Sequence, residues 1–176
     1  MRAEFIRDAA ASAAILGFFA SSWFGWALDD PPASWRVRLI TGAILSVATA
    51  GTGAFYTWRY WSDGSVFDAS TSRAFGIVVG IEVALAGIGS WYLSARNRAE
   101  LIPAWIALVV GVHFLPLAVL LEYPMLNVLA VLLTIGALLA VPLSRRRSLP
   151  ISAVTGAMAG PILLAAALYS LATVLV

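Results

Sequence analysis

Residues 73–122, RAFGIVVGIEVALAGIGSWYLSARNRAELIPAWIALVVGVHFLPLAVLLE, decide the fold. The stretch holds two apolar runs, 74–95 and 101–121, parted by Arg96, Arg98 and Glu100. A bilayer-spanning helix needs about 20 mostly apolar residues. Each run is therefore long enough to cross once and too short to cross twice. Gaps between charges elsewhere have the same length. They lie between Asp8 and Asp29, between Arg38 and Arg59, between Glu122 and Arg145, and after Arg147. The reading is an all-α polytopic membrane protein. A single six-helix transmembrane domain fills residues 1–176, with helices expected over 9–28, 39–58, 74–95, 101–121, 125–143 and 151–174.

The connections fit. Asp29-Asp30-Pro31-Pro32 breaks the chain after the first span, because proline removes a helical donor. Residues 59–73 form the longest expected loop, and Glu122-Tyr123-Pro124 a very tight one. The segment 9–28 is longer than the apolar core of a signal peptide and crowds Trp23, Phe24 and Trp26 at its end, so it reads as a permanent helix.

Composition agrees with this architecture. Hydrophobic residues make up 61% of the 176 and charged residues 11%, with a mean hydropathy of +0.92. Soluble domains carry about 25% charged residues. The chain has no Cys, all eleven basic residues are Arg, and His113 is the single histidine. Disulfides, a lysine Schiff base, a Walker A phosphate loop and a multi-histidine metal site are excluded. No cofactor or metal is expected. A net charge of +2 is too small for a nucleic-acid surface.

The arginines act as topology signals. The loops after spans one, three and five hold Arg36, Arg38, Arg96, Arg98 and Arg145 to Arg147; the other side holds Arg2, Arg7, Arg59 and Arg73. The positive-inside rule then puts both termini outside, in a multi-pass protein of the cell membrane, read as a bacterial inner membrane. The triplet Arg145–Arg147 also suits contact with anionic lipid.

A possible internal repeat pairs the Asp29–Pro32 breaker and Leu39–Leu45 with the Glu122–Pro124 breaker and Leu132–Leu139. It would align helices one and two with four and five. The second copy of three helices would be inverted, as in many secondary transporters.

The charged register of the third and fourth spans is the most informative feature. Their hairpin turns near Asn97. Glu82 and His113 lie 15 and 16 residues from that turn, and Arg73 and Glu122 lie 24 and 25. Two opposite-charge pairs therefore fall at matching depths. An ionisable group in the bilayer centre costs at least about 2.5 kcal/mol, so it needs a partner or a wet cavity. A Glu–His pair can exchange a proton near neutral pH; the same pair can also be a hydrogen bond that merely fixes helix register. Gly76 and Gly80 mark a helix contact. Pro116 is expected to kink the fourth span and free the Val112 carbonyl beside His113. Gly156, Gly160 and Pro161 join close packing to a second kink, expected to face the same interior.

The seven tryptophans sit near span ends, where indoles anchor a protein at the membrane interface. Trp23 and Trp26 beside Asp29 and Asp30 are an alternative cage for an organic cation.

Three functions remain open. The first is a small transporter or channel, working as a homo-oligomer such as a dimer. Its site for a small ligand or ion, with proton coupling as one form of it, would comprise Glu82, His113, Arg73 and Glu122. The second is a non-catalytic subunit or scaffold of a membrane complex. The third is an intramembrane enzyme modifying a lipid or isoprenoid, with Glu82 and His113 as acid and base. No catalytic residue is assigned, and the non-enzyme readings come first. The lipid bilayer is the one partner common to all three.

Overall fold

The computed structural model describes residues 4–175, so Arg2 of the topology count lies outside the described residues. Six helices follow in order: α1 (Ile6–Ala27), α2 (Ala33–Arg59), α3 (Ala69–Ala95), α4 (Ile102–Leu120), α5 (Met125–Arg147) and α6 (Ile151–Leu175). A 3-10 turn at Ala99–Leu101 leads into α4. Each span is long and apolar enough to cross a membrane. The molecule is an all-α, six-helix bundle with the organisation of a multi-pass membrane protein.

Four helices outrun their expected bounds by three residues or more, α1 among them, starting at Ile6 instead of 9. α2 starts at Ala33 instead of 39, α3 at Ala69 instead of 74, and α5 ends at Arg147 instead of 143. The charge gaps measured only the apolar part. A helix of 27 residues is about 40 Å long, while the hydrocarbon core is about 30 Å thick. Helical turns carrying Arg38, Arg73 and Arg145 to Arg147 therefore continue past the apolar section, where arginines can reach the interface. The loop expected over 59–73 shrinks to residues 60–68.

Local chemistry marks the ends. Asp68 caps α3 by accepting the Thr71 backbone N–H at 2.7 Å and the Ser70 hydroxyl at 2.8 Å. The Thr71 backbone bond, helped by the Ser70 hydroxyl, lowers the Asp68 carboxyl to a pKa of about 2. Asn97, Glu122 and Ser148 take positive φ, near 50°, where α3, α4 and α5 end. One left-handed residue reverses the chain there. Tyr123 follows in the α4–α5 turn, buried, with its hydroxyl 2.9 Å from that of Ser170. Burial pushes its phenol above the usual tyrosine range.

Close packing starts at α1. A Cβ on Gly17 would lie 2.9 Å from the backbone of Ser46 and Ala50, and one on Gly53 would lie 2.5 Å from the Ala14 nitrogen. α1 and α2 therefore approach backbone to backbone at two levels. On its other side, α1 meets Gly156 of α6, where a Cβ would strike the Trp23 carbonyl and the Ala27 nitrogen. Inside lipid, helix association rests on such van der Waals contact between small residues.

α6 packs on α1, α2, α4 and α5, whereas among the described residues α3 packs chiefly on α4 and the 3-10 turn that leads into it. α1 and α3 do not pack along their length, and a gap opens between them. This arrangement lends the expected inverted repeat no support. α5 packs on α6, but its counterpart α2 does not pack on α3.

Candidate functional site

The gap between α1 and α3 is a cavity of about 530 Å³, backed by α4. That is the size of a small-molecule pocket. α1 lines it with Ser12, Ile15, Leu16, Phe19, Ser22, Trp23 and Trp26. These positions recur every three or four residues, so they form one helix face. α3 contributes Phe75, Val79 and Glu82; α4 contributes His113 and Phe114 among others. Glu82 and His113 are the two ionisable side chains in its wall.

The structure brings these two together. The Glu82 Oε2 and His113 Nε2 atoms are 3.4 Å apart, with side-chain exposures of 18% and 13%. The other ring nitrogen, Nδ1, lies 2.8 Å from the Val110 carbonyl oxygen. A carbonyl only accepts, so Nδ1 carries a hydrogen. The neutral ring then leaves Nε2 bare, facing the carboxyl group. One proton between Glu82 and His113 gives either acid plus imidazole or carboxylate plus imidazolium. Both forms carry zero net charge, which limits the cost of holding the pair away from water.

The carbonyl that meets the ring is not the one Pro116 was expected to free. A helical side chain leans over the turn preceding it, so the ring of His113 reaches Val110, not Val112. Pro116 removes its own N–H from the ladder, yet α4 stays helical from Ile102 to Leu120. Pro116 itself does not line the cavity.

Arg73 and Glu122 do not join the site. Among the described residues the ion pairs within 4.0 Å are Arg7–Asp8 and Glu82–His113. Arg73 is nine positions before Glu82, a rotation of about 180° at 3.6 residues per turn, and therefore sits on the opposite face of α3. Glu122 sits beyond the end of α4 with φ 49°. Both are exposed. Matching depth did not mean matching rotation.

The glycines are redistributed in the same way. Gly76 and Gly80 have nothing within 4 Å of a built Cβ, so within this chain they mark no contact. Gly89, on the α4-facing side, lies against the Trp105 ring, and the Trp105 Nε1 donates to the Leu85 carbonyl at 3.1 Å. Gly156 and Gly160 face α1, the latter beneath the Phe24 ring. Pro161 lines a different cleft. None of these three residues faces Glu82 and His113.

The tryptophans divide. Trp58, Trp61 and Trp91 are exposed, as interface anchors would be; Trp23 is buried. The Trp23 and Trp26 rings meet edge to face, with centroids 5.1 Å apart, and both line the cavity while Asp29 and Asp30 do not. Aromatic surface therefore belongs to the Glu82–His113 cavity and not to an aspartate cage. The α1 wall went unread in the sequence, although the spacing of Ser12, Ile15, Phe19, Ser22 and Trp26 carried it.

Glu82 and His113 offer two ligating groups, fewer than the three or four of a protein zinc site. Among the described residues no three His, Cys, Asp or Glu side chains gather. No protein-family model, characterised protein or solved structure matches the chain.

Proposed function

We propose that the chain is a small proton-coupled transporter whose substrate is a lipophilic molecule bearing one cationic group. The observation that carries this reading is a Glu–His pair 3.4 Å apart in the wall of a largely apolar, aromatic-lined cavity, where the two side chains can share one proton. A cation entering between α1 and α3 meets Phe19, Trp23, Trp26 and Phe75, aromatic rings whose faces attract organic cations. It competes with the shared proton for the Glu82 carboxylate. Release of that proton on binding, and its return on release of the cation, couples the two fluxes. The Arg-rich end faces the cytoplasm in this reading, with both termini outside, in a bacterial inner membrane. A homodimer would complete the path.

The test is uptake of tetraphenylphosphonium into proteoliposomes under an imposed pH gradient. Wild type accumulates the cation in step with the gradient, and Glu82→Gln abolishes that uptake. His113→Gln keeps cation binding but flattens its pH dependence. Uptake by Glu82→Gln equal to wild type overturns the reading.

The bare outer face of α3 favours a second reading, a non-catalytic subunit. α3 has no buried residue, and Gly76, Gly80 and Gly87 are open on it. In that case Glu82→Gln leaves flux unaltered and weakens assembly with another membrane protein.

A further inference from the structure

A second cleft, of about 520 Å³, lies at the Arg-rich end of the bundle. α2 and α5 both lean on α6 without packing on each other, and the cleft is the groove between them. Its mouth carries the exposed Arg38 of α2 and Arg147 of α5; Ala157, Met158 and Pro161 of α6 line one side, and buried Phe24, Leu39 and Val154 line it too. Trp35 lines it as well. Among the described residues no carboxylate lies within 4.0 Å of either guanidinium.

The depths describe an amphiphile. Arg38 is five residues inside α2, about 8 Å along its axis, and Arg147 is the last residue of α5. Pro161 is ten residues into α6, about 15 Å along the axis, or half of a 30 Å hydrocarbon core. The groove thus runs from interface depth to the midplane, the reach of one acyl chain in one leaflet. Arg147 is also held in place. Ser148 turns with φ 52°, the Leu149 N–H donates to the Ser144 carbonyl at 3.0 Å, and the Ser144 hydroxyl donates back to the Leu149 carbonyl.

We propose that this cleft binds one anionic phospholipid, with its phosphate between Arg38 and Arg147 and one acyl chain along Ala157, Met158 and Pro161. A guanidinium fork suits a phosphate better than any other side chain does, and basic pockets between helices are a known way of holding anionic head groups. Arg145 and Arg146 neighbour Arg147 in sequence but do not line the cleft. The site is therefore two chosen arginines, not the triplet's general positive field.

The experiment is native mass spectrometry of the chain in neutral detergent, with phosphatidylglycerol, phosphatidylcholine or glycerol 3-phosphate added. One phosphatidylglycerol is retained in preference to phosphatidylcholine. The double variant Arg38→Gln/Arg147→Gln lowers that retention about a hundredfold or more, the loss expected from two charge-assisted hydrogen bonds. The control Arg145→Gln/Arg146→Gln removes the same charge and leaves retention within about twofold. Ala157→Phe fills the groove and displaces the lipid with both arginines intact, which keeps the test open if the first variant misfolds. Equal losses in the two double variants overturn the proposal in favour of a diffuse field. Full retention in Ala157→Phe, or glycerol 3-phosphate binding as well as the lipid does, overturns the acyl-chain part and leaves a bare anion site.

Discussion

α1 and α3 form opposite walls of one cavity, yet they are held in different ways. α1 is clamped between α2 and α6, where glycines let backbones touch. α3 leans chiefly on α4 and has no buried residue. The carboxylate sits on the loosely held helix, and most of the aromatic wall sits on the fixed one. Elements that move in binding are drawn from the least stable parts of a protein. A rigid wall facing a poorly anchored one is what a cavity needs if it is to open toward lipid between them.

The largest expected effect breaks the fixed side. Gly53→Leu drives a side chain into the backbone of Ala10 and Ala14, which cannot rotate away. It should cost about 3 kcal/mol or more, seen as a large drop in thermal unfolding temperature in micelles. Gly80→Leu, on the open face of α3, should stay within about 0.5 kcal/mol. Equal effects from the two would erase the contrast between the helices.

A smaller effect sharpens the loose side. Trp105 ties α3 to α4 through its bond to the Leu85 carbonyl and its ring against Gly89. Trp105→Ala should loosen that contact by about 2 kcal/mol, less than a fully buried tryptophan because this one is only half-buried. Hydrogen exchange would then rise along α3 while α1 keeps its protection. A uniform rise over both helices would mean that α3 is no separate unit.

The smallest effect concerns the α3 cap. Asp68 has its pKa lowered from 3.8 to about 2 by the Thr71 backbone bond and the Ser70 hydroxyl. A depressed carboxyl stabilises above its unfolded pKa and loses that contribution as pH falls through the folded value. The first turn of α3 should therefore be fully protected above pH 3.8 and fray as pH approaches 2. Asp68→Asn should remove this pH dependence. Exchange at Ser70 to Arg73, followed across that range, is the readout.

Depth was legible in the sequence, and rotation was not. Charge spacing about Asn97 put Glu82 and His113 level, and the two side chains do meet. The same spacing put Arg73 level with Glu122, but a half-turn of helix separates Arg73 from the Glu82 face. Hydropathy is one-dimensional: it counts residues across a bilayer and says nothing about which neighbour a face meets. Gly76 and Gly80 read like Gly53 and Gly156, though only the latter two touch another backbone. The α1 wall was missed for a different reason. Its face carries serines and aromatics but no charge, and nothing in such a face stands out against the apolar background of a membrane span.

The central claim is that Glu82 and His113 share one proton while Nδ1 stays bonded to Val110. The chain has one histidine, so ring-¹⁵N histidine labelling gives a single imidazole by solid-state NMR in lipid. The account predicts a protonated Nδ1 at every pH and an Nε2 resonance that shifts on Glu82→Gln. A neutral ring protonated at Nε2 with Nδ1 bare, unaltered by Glu82→Gln, would contradict it.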